Sequence, residues 1–364
     1  MGLSMGMVGL PNVGKSTLFN AITNSAIDAQ NFPFCTIDPN KGVVSVPDER
    51  LSVLADISNT TKVIPAAIEF IDIAGLVKGA SKGEGLGNQF LANIRNVAAM
   101  VHVVRCFDND DIVHVDGSVD PVRDIDIINT ELILSDIDQC EKALDTQRKR
   151  IKTNDATDVL KHDVLTQCLA HLEQGKPIRS MDFRDHENVH VNAYQFLTSK
   201  PVIYVCNVDE GDIVDGNQYS RAVREHVSKE HAHVLVLSAQ FEYEVSQLDE
   251  GDQMAFLQDV GVTQSGLAKL AKQSFSLLGL QTFLTTGEKE TRAWTISVGT
   301  LAPKAAAAIH TDFERGFIRA NVIHFDDFVA CNGYKQAKEK GKVRQEGKDY
   351  VVKDGDVIEF LFNV

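Results

Sequence analysis

The residues with the clearest chemical content lie near the start of the chain, where positions 9–17 read G-L-P-N-V-G-K-S-T. Two glycines five apart, followed by Lys and then Ser or Thr, form the pattern of a phosphate-binding loop. Gly9 and Gly14 let the backbone N–H groups approach phosphate oxygens. Lys15 would place a positive charge on the outer phosphates, and the Ser16 hydroxyl would bind a Mg²⁺ ion that bridges them. We therefore expect a nucleoside triphosphate to contact six residues of this loop: Asn12, Val13, Gly14, Lys15, Ser16 and Thr17.

Two later positions complete the predicted metal site with Ser16. Asp72 ends an apolar strand pattern three residues before Gly75. An acidic residue there holds Mg²⁺ through a water molecule, and the Gly75 N–H reaches the γ-phosphate. Thr36 lies in the loop after the first predicted helix, where a switch threonine joins the metal shell when the γ-phosphate is present. A lone loop Thr is usually only solvated, but the motifs on both sides favour a metal ligand at Thr36.

The expected hydrolytic residue is less obvious. Ras-like hydrolases orient the attacking water with a Gln directly after this Gly, whereas this chain has Leu76. Leucine neither donates nor accepts a hydrogen bond, so either hydrolysis is slow or another group orients the water. His114 is the candidate, because it follows a central strand pattern at 101–107 on the side where ligands bind. The alternative is an ordinary solvated histidine.

The residues expected to contact the base follow two further strand patterns. A guanine-specific domain carries N-K-x-D at the first of these positions, whereas residues 207–210 read N-V-D-E. Glu210 is one methylene longer than the Asp that accepts from guanine, and adenine has no N1–H to donate. Asn207 and Glu210, with Ser238 and Ala239 after the next strand pattern, therefore favour ATP. A GTPase with unusual base contacts remains an alternative.

The strands and helices that would position these residues alternate along the chain. This alternation predicts an α/β fold, with a Ras-like P-loop NTPase domain built from 1–123 and 201–280. Between these parts, apolar residues at steps of three and four predict an inserted α-helical hairpin over 124–200. Short strand patterns after residue 280 predict a separate α+β domain over 281–364.

Composition limits the classes of function. The chain has 364 residues and a formal net charge of −15, which argues against broad non-specific nucleic-acid binding. Basic residues nevertheless cluster at 148–152 and 335–344, where they contact RNA or protein, or are only solvated. No apolar run approaches the roughly 20 residues of a membrane span. Six cysteines without a C-x-x-C pair indicate a reduced, cytoplasmic protein whose cysteines are mostly small buried side chains.

Five segments closely resemble the Obg-like ATPase (YchF) family of TRAFAC-class P-loop NTPases: G-L-P-N-V-G-K-S-T, N-F-P-F-C-T-I, D-I-A-G-L-V-K-G-A-S-K-G-E-G-L-G-N, V-H-V-D-G-S-V-D-P and N-V-D-E. The resemblance covers essentially the whole chain. It extends to the helical insertion and to a C-terminal domain that looks like the TGS type, a ubiquitin-like β-grasp. It therefore implies the fold of a P-loop domain with an inserted coiled-coil hairpin and a TGS domain.

The resemblance also implies an activity and partners. It implies slow hydrolysis of ATP in preference to GTP, Mg²⁺ as cofactor, and association with the ribosome, either its large subunit or the whole particle. His114 matches a family loop histidine that acts in hydrolysis, and the backbone of Val208 is expected near the base. Asn12 matches an Asn that helps bind K⁺ in related potassium-stimulated NTPases, so K⁺ is a second candidate cofactor.

Two functions from different classes remain after this comparison. The first is a regulatory ATPase that binds ATP and ADP and acts on the ribosome as a switch in translation or stress response. The second is a nucleotide-stabilised RNA- or ribosome-binding adaptor in which hydrolysis is incidental. Under either function, we expect a monomer with no membrane partner.

Overall fold

A computed structural model of the chain describes residues 4–25, 40–73, 86–109, 117–150, 155–230 and 232–363. The chain divides into two compact units. Among the described residues, the first consists of 4–25, 40–42, 69–73, 86–109, 117–150, 155–230 and 232–269, and the second of 43–68 and 270–363. No helix among the described residues is long and apolar enough to cross a bilayer.

The strands form two six-stranded sheets, with the orders β2-β4-β1-β5-β6-β7 and β11-β10-β12-β8-β9-β3. Their bounds are β1 Ser4–Val8, β2 Lys41–Val46, β3 Val63–Ile64, β4 Ala66–Asp72, β5 Ala99–Arg105, β6 Val202–Asn207, β7 His233–Leu237, β8 Leu280–Thr286, β9 Thr291–Ser297, β10 Phe317–His324, β11 Arg344–Glu346 and β12 Asp356–Phe362.

Helices connect these strands. Their bounds are α1 Lys15–Ser25, α2 Arg50–Ser58, α3 Leu86–Asn96, α4 Pro121–Arg150, α5 Ala156–Leu172, α6 Asp185–Tyr194, α7 Gln218–His226, α8 Ala239–Val245, α9 Glu250–Asp259, α10 Gly266–Leu277, α11 Ala302–Ala307, α12 Thr311–Arg315, α13 Phe325–Ala330 and α14 Tyr334–Glu339. Short 3-10 turns lie at Ile178–Ser180, Leu197–Ser199, Glu210–Asp212 and Val227–Lys229. The predicted α/β class is confirmed.

The first sheet brings the chemically important segments to one edge. Strand β1 pairs in parallel with β4 and β5, and β5, β6 and β7 continue the parallel pairing. Strands β1, β5 and β6 are buried along their whole length, which explains why their sequences are nearly continuous apolar runs. Because all these strands point the same way, their carboxyl ends place the segments after Val8, Asp72, Arg105, Asn207 and Leu237 side by side.

Helices α4 and α5 form the core of the predicted insertion. Among the described residues, apolar side chains at steps of three and four on both helices pack in one cluster, together with Ile178, Val191 and Phe196 from the segments that follow. Cys140 and Cys168 are both buried in this cluster, and burial raises the pKa of each thiol to about 12. These two cysteines therefore behave as the small apolar side chains that the sequence predicted.

Asp136 is a buried polar residue in this otherwise apolar cluster. Its two carboxylate oxygens accept hydrogen bonds from the backbone N–H groups of Leu197 at 2.9 Å and Thr198 at 2.7 Å, and from the Thr198 hydroxyl at 2.7 Å. Asp136 is completely buried. It therefore fixes the turn that leads back into β6 to the middle of α4.

The second unit has its own core beneath the second sheet. Strands β10 and β12, and strands β8 and β9, pair antiparallel, while β12 and β8 pair in parallel. Phe283, Phe317 and Phe360 are buried together with the apolar face of α11. The rings of Phe283 and Phe360 meet edge to face with centroids 5.5 Å apart. Strand β3 joins this sheet beside β9, an arrangement that was not predicted.

Asp136→Ala is expected to lower the free energy of unfolding by about 3 kcal/mol, since it leaves buried N–H donors without an acceptor. The loss can be measured by urea denaturation. Asp138→Ala is the matched control, because Asp138 lies on the same helix but is exposed, and within the described ranges its ion pair is the i,i+4 contact with Lys142. Equal denaturation curves for the two variants would show that Asp136 does not hold the turn.

Candidate nucleotide-binding site

The loop between β1 and α1 has the backbone geometry of a phosphate cradle. Gly14 has φ +91° and Asn12 has φ +64°, so the chain turns through the left-handed region twice in three residues. A Cβ on Gly14 would lie 2.2 Å from the Asn207 Nδ2 atom, and one on Gly9 would lie 2.8 Å from the Val103 carbonyl oxygen. The two glycines of the motif are therefore required by close approach to β6 and β5 as well as by the turn.

Asn207 fastens this loop to the sheet. Its side-chain Nδ2 donates to the Val13 carbonyl at 2.9 Å, and its Oδ1 accepts from the Ala239 N–H at 2.8 Å. The residue is only 4% exposed, so water does not compete for these hydrogen bonds. One amide thus joins the end of β6, the phosphate-binding loop and the start of α8.

Lys15 and Asp72 face each other at the open end of the loop. The Lys15 ammonium forms an ion pair with an Asp72 carboxylate oxygen, and Met7 and Asp72 are register partners on β1 and β4. Both side chains are partly buried. The predicted phosphate-binding cation and the predicted metal-binding carboxylate therefore lie within contact distance.

The loop forms one wall of a cavity of about 960 Å³. Its lining residues are Leu10, Pro11, Asn12, Gly14, Lys15, Ser16, Thr17, Phe107, Asn109, Asn207, Val208, Asp209, Ser238, Ala239 and Gln240. A volume in this range is typical of small-molecule sites. Nine of the predicted nucleotide-binding residues thus meet around one cavity.

Other predicted residues lie elsewhere or outside the described chain. Val13 is a buried residue of the loop, and its carbonyl accepts a hydrogen bond from the Asn207 side chain. Glu210 begins an exposed 3-10 turn and is not a lining residue, whereas the preceding Asp209 is. Gly75, Thr36 and His114 lie outside the described residues, so their predicted roles stay predictions.

Several lining residues were not predicted, and Phe107 and Asn109 are the most informative. They follow β5, whose last residue Arg105 is buried and donates to the carbonyl oxygens of Phe107 at 3.2 Å and Asn109 at 3.1 Å. The available signal was positional. Residues directly after a buried parallel strand lie at the ligand-binding edge, and this strand ends in a charged residue, which is unusual for a buried position.

One titratable group on the wall of the cavity and one in the sheet behind it have shifted pKa values. Partial desolvation, together with the nearby carboxylates of Asp212 and Asp108, raises the pKa of the exposed Asp209. Behind the cavity, burial and the charge of Arg179 lower the pKa of His102 to about 3. His102 therefore stays neutral at physiological pH and offers no acid–base group to the cavity.

The oxygen donors of Ser16 and Asp72 fit a divalent metal that binds together with a nucleotide. The described residues contain no group of three or more His, Cys, Asp or Glu side chains that could hold a metal unaided. Mg²⁺ usually takes one or two protein oxygen ligands and completes its shell with phosphates and water. The Ser16 hydroxyl and the Asp72 carboxylate are oxygen donors of this kind.

Asn207→Ala is expected to lower the free energy of unfolding by about 2 kcal/mol without nucleotide, because the Val13 carbonyl and the Ala239 N–H lose their partner. Asn207→Asp should be no better, since its second oxygen would face the Val13 carbonyl. Urea denaturation measures both, and Asn192→Ala on the exposed side of α6 is the control. A stability equal to that of the control would contradict the fastening role.

Comparison with known proteins agrees with this geometry. Residues 4–155 match the family model of a 50S ribosome-binding GTPase. Residues 280–363 match the C-terminal family of YchF GTPases, described as a protein of unknown function (DUF933).

Full-length relatives extend the match. The chain is 54% identical to the ribosome-binding ATPase YchF of Haemophilus influenzae and 51% identical to that of Bacillus subtilis, covering 100% of each chain in both cases. The structure of the Schizosaccharomyces pombe YchF GTPase superimposes with a TM-score of 0.89 at 36% identity, covering 99% of this chain and 97% of that one. At this identity over its whole length, the chain belongs to the YchF family of P-loop nucleoside triphosphatases.

Proposed function

We propose that this protein is a ribosome-associated P-loop ATPase, which binds ATP in preference to GTP and hydrolyses it slowly as a cytoplasmic switch in translation or stress response. One observation carries the proposal. Lys15, Ser16 and Thr17 line the same cavity as Asn207, Val208 and Ala239. A single cavity thus joins a phosphate-binding loop to the strand ends that contact bases in this fold.

The phosphates would bind at the loop end of the cavity. Backbone N–H groups of the loop and the start of α1 face bound phosphates and stabilise their negative charge. Lys15 would exchange its ion pair with Asp72 for the outer phosphates, which frees the Asp72 carboxylate to hold Mg²⁺ through water. Bound Mg²⁺ would neutralise charge on the phosphates, with Ser16, Asp72 and Thr36 as its protein ligands.

The base would bind at the opposite end. The Asn207 side chain uses one N–H on the Val13 carbonyl and one oxygen lone pair on the Ala239 N–H, which leaves its second N–H and second lone pair for the base. The backbone of Val208 and of Ser238–Ala239 would also contact the base edge, and the Phe107 ring offers it a flat apolar surface. The carboxylate of Asp209 can accept from the adenine amino group, whereas it would repel the guanine O6 atom.

Hydrolysis depends on residues outside the described chain. Leu76 cannot orient a water molecule, so we assign that role to His114, with the Gly75 N–H directed at the γ-phosphate. K⁺ near Asn12 would add positive charge beside the phosphates. This assignment predicts slow turnover, as expected of a switch rather than a metabolic enzyme.

The remaining domains would carry the partner contacts. We assign 1–123 and 201–280 to the nucleotide domain, 124–200 to the coiled-coil hairpin, and 281–364 to a TGS domain. The ATPase is proposed to act as a monomer. It would bind the ribosome, as the name of its bacterial relatives indicates for those proteins. ATP binding would order the loops around Thr36 and Gly75 and so change how the other domains meet the ribosome.

A nucleotide-stabilised adaptor for RNA or the ribosome is the second candidate. Helix α4 ends in Arg148, Lys149 and Arg150, of which Arg148 pairs with Asp145 in an exposed contact. Lys335, Lys338 and Lys340 are exposed on and after α14. Such clusters attract phosphate backbones, although solvated lysines are equally common on protein surfaces.

The base preference is the first prediction of the proposed function. In a displacement titration with a fluorescent ATP analogue and Mg²⁺, ATP should compete at least tenfold better than GTP, a difference of about 1.4 kcal/mol. Lys15→Ala is the control and should weaken both nucleotides. If GTP competes as well as ATP or better, the protein is a GTPase of the same fold, as the name of the S. pombe relative suggests for that protein.

Ribosome binding separates the switch from the adaptor. Co-sedimentation should be measured with no nucleotide, with ADP, and with a non-hydrolysable ATP analogue. A switch should sediment most with the ATP analogue, because only that ligand favours the triphosphate-ordered state. Lys15→Ala should lose this dependence. Equal sedimentation under all three conditions would instead favour the adaptor.

A further inference from the structure

Arg105 is a buried charged residue beside the nucleotide cavity. Among the described residues it is the largest of the fully buried side chains, at 2% exposed. It ends the central strand β5, which lies between β1 and β6 in the first sheet. A guanidinium keeps its charge at any physiological pH, so burying it needs compensating contacts. Those contacts show what the residue does.

Two of these contacts go to the wall of the cavity. The Nε atom donates to the Phe107 carbonyl at 3.2 Å, and Nη2 donates to the Asn109 carbonyl at 3.1 Å. The guanidinium carbon also lies 4.7 Å from the centroid of the Phe107 ring. The planar group thus holds two backbone carbonyls and one aromatic face, and both of those residues line the cavity.

The residues between these contacts are held by other groups. The Cys106 N–H donates to the Asn207 carbonyl at 2.8 Å, and the Cys106 carbonyl accepts from the Asn217 side chain at 2.8 Å. The Tyr219 hydroxyl lies 2.9 and 3.0 Å from the two carboxylate oxygens of Asp108. Arg105 therefore holds the two cavity-lining residues of this segment, whereas Tyr219 holds the intervening one.

We propose that Arg105 is a positioning residue for the nucleoside half of the ligand: it holds the ring of Phe107 and the backbone of Asn109 in their binding arrangement before the nucleotide arrives. The inference rests on the proposed function, because it takes the cavity to be the nucleotide site. A segment ordered in advance loses less conformational entropy on binding. Arg105 should therefore raise the affinity for the base and ribose without contacting the phosphates.

This role predicts a distinctive pattern of affinities for ATP, ADP and tripolyphosphate. Without the two hydrogen bonds from Arg105 to Phe107 and Asn109, the affinities for ATP and ADP should fall by the same factor, because both ligands carry the same nucleoside. Inorganic tripolyphosphate needs only the phosphate-binding loop, so its affinity should not change. General damage to the sheet would instead weaken all three ligands. The comparison therefore separates positioning from a merely structural contribution.

The test uses Arg105→Lys in the full-length protein. Lysine keeps the charge, but it cannot present two N–H donors in a fixed fork. Calorimetric titration with Mg²⁺ should show ATP and ADP each weakened about tenfold, the size expected from losing one or two buried hydrogen bonds. Tripolyphosphate should bind as tightly as it does to the wild type. Tyr219→Phe is the matched control, since it releases Asp108 and leaves both cavity-lining residues held.

A second measurement tests the route through Phe107. If Arg105 acts by holding this ring, Arg105→Lys should cost less ATP affinity in a Phe107→Leu background than in the wild type. Equal losses in both backgrounds, or an unchanged ATP affinity in folded Arg105→Lys, would overturn the inference. A wild-type protein that binds tripolyphosphate but not ATP would overturn the proposed function itself, so the two failures are distinguishable.

Discussion

The site depends on the two hydrogen bonds of the Asn207 side chain. Each bond joins segments that are far apart in the sequence: Val13 in the phosphate-binding loop and Ala239 at the start of α8. Because the amide carries N–H donors on one atom and acceptor lone pairs on the other, it can satisfy a carbonyl and an N–H at the same time. The absence of a side chain on Gly14 makes room for it, since a Cβ there would overlap the Nδ2 atom. Gly14 and Asn207 are thus both required to fasten the phosphate-binding loop to β6 and α8.

The Asn207 side chain can join these segments because the sheet is parallel. Parallel pairing of β1, β5, β6 and β7 brings four strand ends to one edge, and each end contributes one function. The end of β1 supplies the phosphate-binding loop, and β5 supplies Phe107. The end of β6 supplies Asn207, and β7 is followed by the Ser238 cap of α8, whose hydroxyl accepts from the Phe241 N–H at 3.4 Å. Apolar burial holds the strands in the sheet, and the polar residues at their ends set the chemistry.

The parts of the site that could be predicted from sequence have a local physical reason. A phosphate-binding loop must carry its glycines, lysine and serine at fixed spacing, so the loop from Gly9 to Thr17 can be recognised from the sequence. The apolar steps of three and four along α4 and α5 likewise determine their shared core. Asp209 and Glu210 differ because a 3-10 turn begins at Glu210, a detail of backbone geometry with no clear sequence signal. The pairing of Val63 and Ile64 with β9 was equally hidden, since a two-residue strand has no periodicity.

Buried polar contacts join the predicted insertion to the first sheet and the segments beside it, and this affects how a nucleotide signal can travel. Arg179 is buried and reaches Glu230 at 2.6 Å, Asn129 at 2.7 Å and the Tyr204 hydroxyl at 2.9 Å. Lys200 donates at 2.6 Å to the Val97 carbonyl just beyond α3. Apolar surfaces can slide over one another, but buried hydrogen bonds and ion pairs are costly to leave unsatisfied. The base of the insertion is therefore expected to move with β6 and α3 as one body, so that a shift of α3 would swing the distant end of α4 rather than loosen its base.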